Sequence, residues 1–130
     1  MVLLREALLV GLGGFFGSAA RFLMSSAVQK LAGPAGFPYG TLSVNLVGAF
    51  LVGVLMQSVA QTNVFSPQVK LLLGVGFLGG FTTLSTVTLE SMRLVQTGQP
   101  ILGLSNAFGS IALGLFMTGL GFWTAQIVLR

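Results

Sequence analysis

The chain has 130 residues, of which 54% are hydrophobic and 6% charged, with a net charge of +4 and a mean hydropathy of +0.96; soluble domains carry roughly 25% charged residues. A bilayer-spanning helix takes about 20 mostly apolar residues, so this length holds about four spans with short loops and leaves no room for a soluble domain. The chain has no cysteine and no histidine, which excludes disulfides, thiolate sites and imidazole acid–base or metal chemistry and makes an enzyme an unlikely reading, and its cations are scattered singly rather than gathered into a nucleic-acid patch.

The first span is predicted over 3–28. Arg5 precedes an apolar run, but no A-x-A-like cleavage site ends it, so it reads as a span rather than a signal peptide. "GGFFGSAARF" places Arg21 deep in it, where a central arginine costs roughly 2.5 to 3.5 kcal/mol on insertion scales. Such a cation either snorkels to the headgroups or faces protein or water as a structural or vestibule group. "LAGPAGFPYG", with two prolines and three glycines, reads as a loop.

The second span is predicted over 41–59 and contains Asn45 in "GTLSVNLVGAF". An amide has two donor hydrogens and two acceptor lone pairs, so Asn45 can present N–H to an anion or bond a neighbouring helix. "QTNVFSP" forms the next loop. The third span, 69–95, carries "GFLGGFTTLSTVTLE". Gly79 and Gly80 weaken helix there, and non-helical backbone at that depth survives only where protein buries it or water reaches it. A break frees carbonyls that can coordinate a cation. Downstream, Thr82, Ser85 and Thr86 are spaced i, i+3 and i+4, which predicts a hydroxyl stripe on one face; the other reading is local bonding back to carbonyls. Glu90 follows at the mouth of that stripe, either shaping a vestibule or lying exposed near a helix end.

"QTGQP" closes the third span, and the fourth is predicted over 101–129, with Asn106 and Ser110 on one face. Four spans put both termini on one side. Arg5, Lys70 and Arg130 then face Lys30 and Arg93 across the bilayer, a bias too weak to set orientation clearly, so the chain is expected to insert both ways; the other reading is a modest bias that still fixes one orientation. Small residues recur four apart at Gly13 and Gly17, Ala49 and Gly53, Gly76 and Gly80, and Ser110, Gly114 and Thr118. These rows allow close helix approach, within the chain or between two copies.

These residues resemble the Fluc fluoride channels, or CrcB proteins. "GGFTTLSTV" is similar to their third-helix G-G-x-T-T-F-S-T-F at Gly79, Gly80, Thr82, Thr83, Ser85 and Thr86, "GTLSVNLVGAF" to their second-helix G-T-L-x-x-N-x-x-G at Asn45, and "GGFFGSAARF" to their first-helix pattern ending in Arg21. The resemblance covers essentially the whole chain. It implies an all-α integral membrane protein of four helices with a break in the third, working in the plasma membrane as an antiparallel, dual-topology homodimer that exports fluoride passively. It also implies a central sodium ion held by the Gly79 and Thr82 carbonyls of both copies, and a fluoride pathway along Asn45, Ser85, Thr86, Asn106 and Ser110. Two family phenylalanines are replaced by Leu84 and Val87. The alternatives are a non-conducting subunit that needs a paralogous partner and a small proton-coupled exporter, for which Glu6 and Glu90 are the only carboxylates.

Overall fold

The computed structural model describes residues 1–34 and 36–130; Ala35, within the first predicted loop, lies outside the described residues. The chain is helical: α1 (Val2–Ala32), α2 (Tyr39–Gln61), α3 (Pro67–Lys70), a π-helical stretch (Leu71–Leu78), α4 (Gly79–Phe81), α5 (Leu84–Gln96) and α6 (Pro100–Val128). The third span runs from Pro67 to Gln96, and α1, α2 and α6 are the other three helices long and apolar enough to cross a membrane. The protein is therefore a four-span, all-α membrane protein.

Local chemistry sets the helix ends. α1 stops at Gly33, whose φ of 73° is a left-handed conformation that glycine adopts without strain. Ser66 caps α3 by accepting the Val69 N–H at 3.3 Å, with Pro67 in the first turn. α5 closes through Gly98, at φ 82°, and a Gln99 N–H that donates to the Leu94 carbonyl at 2.8 Å. Pro100 then opens α6. The first three spans begin and end beyond the apolar stretches read from sequence, and the fourth is offset by one residue: α1 continues through Gln29 and Lys30, since a polar side chain at a membrane boundary ends the apolar run and not the backbone ladder.

Large apolar side chains face outward along every span, among them Phe15, Phe22, Leu115, Phe116 and Trp123. Lipid is as apolar as they are, so helix association rests on close packing and hydrogen bonds. α1 lies against the first half of the third span through glycine. A Cβ on Gly13 would overlap the Leu72 carbonyl oxygen and one on Gly17 the Phe77 carbonyl oxygen, while Cβ atoms on Gly76 and Gly80 would come within 2.8 Å of the Val10 oxygen and 2.7 Å of the Gly14 oxygen. α2 and α6 meet in the same way at Gly53 and Gly121. The predicted row on α6 is mixed: among the described residues Gly114 has nothing within 4 Å of its would-be Cβ, whereas the Thr118 carbonyl oxygen lies where a Cβ on Gly53 would overlap it and Ser110 Oγ is buried.

Candidate functional site

The third span breaks at Thr82 and Thr83, both extended (φ −93°, ψ 150° and φ −153°, ψ 121°). This is three residues later than the glycine pair suggested. Gly79 and Gly80 are themselves helical; what Gly80 contributes is the close approach to α1. The predicted stripe is accordingly divided. Thr82, the first residue of the break, turns its hydroxyl back to the Leu78 carbonyl at 2.9 Å. Thr83 caps α5, accepting the Thr86 N–H at 3.4 Å, and its Oγ1 lies 2.9 Å from Ser85 Oγ and 3.4 Å from Thr86 Oγ1. The spacing i, i+3, i+4 presumes a continuous helix, and the chain is not one there.

Asn45 spans the break. Its Oδ1 accepts the Thr83 N–H at 2.9 Å and its Nδ2 donates to the Thr83 carbonyl at 3.2 Å. One amide thus satisfies both polar groups of a residue that has left the helical ladder, and the two bonds together fix which end of the amide is which. From α1, Arg21 donates through Nε to the Gly80 carbonyl at 3.1 Å, with Ser18 Oγ 3.5 Å from the same oxygen. The guanidinium does not snorkel outward; it is half-buried against the break.

Three adjoining cavities follow this chain of polar groups. The outermost, about 510 Å³, opens beside the turns that follow α1 and α5 and is lined by Ser25, Gln29, Thr41, Glu90, Arg93 and Gln99. The middle one, about 340 Å³, shares Ser25, Ser26 and Thr41 with it and adds Arg21, Asn45, Thr83 and Thr86. The innermost, about 290 Å³, lies across the Asn45–Thr83 pair and is lined by Thr82, Leu84, Val87 and Ser110. Asn45 and Thr83 line both inner cavities and form the wall between them. Hydroxyls, an amide and a guanidinium surround the middle cavity, and no carboxylate does. An anion leaving water needs replacement donors, and this cavity is built of them.

The remaining sequence-predicted residues divide. Glu90 is half-buried rather than exposed; its Oε1 accepts from Thr41 Oγ1 at 2.7 Å, and its Oε2 is buried without a donor among the described residues. Ser110 Oγ is likewise buried without a partner among them, beside the innermost cavity. Asn106 is 1% exposed and donates to Ser91 Oγ at 2.9 Å and to the Val87 carbonyl at 3.4 Å. These bonds join α6 to α5 and leave its Nδ2 engaged. Asn106→Leu is expected to lower stability by about 1–3 kcal/mol, the range for a buried hydroxyl or carbonyl left unpaired, with little change in ion flux; thermal unfolding in detergent and liposome efflux measure the two. Leu84 is 66% exposed and Val87 3%. Sequence reading missed Ser25, Ser26 and Thr41. The first two lie one turn beyond Arg21, a spacing that could have drawn attention to them once Arg21 was taken as pointing inward.

Comparisons with known proteins agree with this layout. Residues 8–122 match the family model of the CrcB-like protein, Camphor Resistance (CrcB). The chain is 41% identical over 119 residues to the fluoride-specific ion channel FluC of Geobacter sulfurreducens, covering 92% of this chain and 95% of that one. It is 43% identical over 114 residues to the FluC of Chlorobaculum tepidum, covering 88% and 89%, and 44% identical over 115 residues to that of Thermus thermophilus, covering 88% and 90%. A match this long, running through all four spans and over the residues that build the break, shows that the chain belongs to the CrcB-like family.

Proposed function

We propose that this protein is a fluoride channel of the plasma membrane, letting fluoride leave the cell down its gradient and so lowering its toxicity inside. The observation that carries the reading is the polar wall formed by Asn45 and Thr83 between two hydroxyl-lined cavities, in a chain whose relatives bear the name of fluoride-specific channels. Fluoride is small and strongly hydrated, so its transfer depends on donors along the whole route. Ser25, Ser26 and Thr86 offer O–H groups, Asn45 an N–H face and Arg21 a charge, while the Thr41 O–H is held by Glu90 and Ser110 presents an unpartnered hydroxyl on the far side of the wall. Ser85 stands beside Thr83 at the same break, and Asn106 supports the helix pair behind it. Binding by such groups is weak enough to release the ion, as conduction requires.

The working unit in this reading is an antiparallel homodimer, supported by the near-even distribution of Lys and Arg and by the open space beside Gly114 on α6. A sodium ion at its centre suits the break. Sodium is a hard cation that takes oxygen ligands, and the Gly79 and Thr82 carbonyls are those whose helical N–H partners are occupied elsewhere: Thr83 N–H donates to Asn45 and Thr86 N–H to Thr83 Oγ1. Two such oxygens per chain make four from two copies. A fixed cation there would lower the electrostatic cost for an anion nearby.

Fluoride release from liposomes holding this protein alone, read by electrode with chloride in parallel, tests the channel. Release of fluoride without chloride is the expected result; silence from a well-folded dimer would instead support a subunit that conducts only with a paralogous partner, a reading favoured by Leu84 and Val87 where the family has phenylalanine. The two positions are not equivalent. Leu84→Phe has open space and is expected to keep fold and flux, whereas Val87 is buried on the lining of the innermost cavity, so Val87→Phe is expected to narrow that cavity and to cost up to about 3 kcal/mol, the upper end of the usual range for overpacking. Melting temperatures of both variants check the asymmetry.

A further inference from the structure

We propose that Asn45 is a positioning residue for the cation site as well as a wall of the anion route, so that one amide couples the two. The inference rests on the sodium reading above. In an unbroken helix the Gly79 carbonyl would receive the N–H of the residue four positions on, which is Thr83. Here that N–H donates to Asn45 Oδ1 at 2.9 Å. Asn45 therefore leaves the Gly79 oxygen with its lone pairs unclaimed by the ladder, and its second bond, Nδ2 to the Thr83 carbonyl at 3.2 Å, holds Thr83 in the extended conformation that keeps the ladder open.

Neighbouring groups make the selection sharper. The Gly80 carbonyl is the obvious competitor for a cation, yet Arg21 Nε occupies it at 3.1 Å, and a guanidinium there also opposes a second positive charge. The Thr82 hydroxyl is turned back onto Leu78. What the surrounding side chains leave over at the break are the Gly79, Phe81 and Thr82 carbonyls, and of these the Gly79 oxygen is the one that Asn45 frees by taking the Thr83 N–H. Asn45 is the one of these side chains that also lines both inner cavities. Movement of its amide toward a passing anion would therefore be felt at the Gly79 carbonyl through the Thr83 N–H.

The test uses purified, full-length dimer in detergent, with sodium chloride exchanged against N-methylglucamine chloride at constant ionic strength. Two quantities are read: the sodium concentration giving half of the thermal stabilisation, and hydrogen exchange at the Thr83 amide. In the wild-type protein we expect sodium-dependent stabilisation and slow Thr83 exchange, although Thr83 lies outside any helix. In Asn45→Leu, which keeps the volume and removes the acceptor, we expect at least a tenfold higher sodium midpoint and faster Thr83 exchange. An unchanged midpoint in Asn45→Leu, or fast Thr83 exchange in the wild-type protein, would overturn the proposal; the second measurement needs no variant to fold. A wild-type protein with slow Thr83 exchange and no sodium response would refute the sodium reading on which the coupling depends, and so the coupling with it, while leaving the Asn45–Thr83 clamp intact.

Discussion

Arg21→Met is expected to reduce fluoride release from liposomes by two to three orders of magnitude. The guanidinium borders the middle cavity and donates to the Gly80 carbonyl beside the break. A unit charge about 4 Å from an anion is worth roughly 4 kcal/mol at an effective dielectric constant near 20, and each 1.4 kcal/mol is about tenfold. Methionine keeps much of the apolar stem and removes both the charge and the donor. The Gly80 oxygen then loses its strongest partner, which adds about 1–3 kcal/mol of destabilisation for a buried acceptor left without a donor. Arg21→Lys separates the two contributions. It retains the charge as a compact ammonium, but has no Nε–H at the position that reaches Gly80, and arginine and lysine are not interchangeable at such a site. A loss of about tenfold is expected for lysine, the charge being kept and about one hydrogen bond lost. Efflux rates of the three proteins at matched incorporation, with helicity checked by circular dichroism, decide the matter; equal rates for wild type and Arg21→Met would remove Arg21 from the anion route.

Gly17→Leu is expected to yield no monodisperse protein. A Cβ on Gly17 would overlap the Phe77 carbonyl oxygen and stand 2.9 Å from the Phe77 carbonyl carbon and 3.0 Å from the Phe81 nitrogen. All three are backbone atoms, so no rotamer change relieves the clash and α1 must separate from the third span. Overpacking of a tight core commonly costs about 1–3 kcal/mol, and here the separation would also pull Arg21, one turn further along α1, from Gly80. Gly11 offers the control on the same helix. Nothing lies within 4 Å of its would-be Cβ, and Gly11→Leu is expected to extract and elute like the wild type. Size-exclusion profiles after detergent extraction compare them.

Much of this architecture is legible from the sequence because it follows from composition. Four apolar runs separated by Pro- and Gly-rich stretches give four spans, and the small residues at four-residue spacing around Gly13, Gly17, Gly76 and Gly80 meet one another in the fold. The place of the break is a different kind of fact. Gly79 and Gly80 are the local weak point by propensity, yet the chain leaves the helix at Thr82 and Thr83, because Asn45 from another helix supplies the bonds that an extended Thr83 needs and Thr83 itself caps the helix that follows. Propensity is local, whereas a partner 38 positions away is not visible in a periodicity. The same limit explains Asn106: a buried amide in a membrane can meet an ion or another helix, and only the position of Ser91 decides that its Nδ2 bonds the neighbouring helix. Ser25, Ser26 and Thr41 went unnoticed for the converse reason. Single hydroxyls in apolar spans are common, and these acquire meaning only by sharing a cavity with Arg21.

The π-helical stretch Leu71–Leu78 bears on how chains of this family are compared. Its wider turns include the Gly79 N–H reaching back five residues to the Gly74 carbonyl, so it carries more residues per turn than the helices on either side. A relative one residue shorter between α2 and the break has its natural place for that difference here. Closing the wide turns into ordinary ones takes up the missing residue and keeps Gly80 against α1 and Thr83 against Asn45, whereas a residue removed from a regular α-helical turn rotates every later side chain of that helix by about 100°, one residue's share of a 3.6-residue turn.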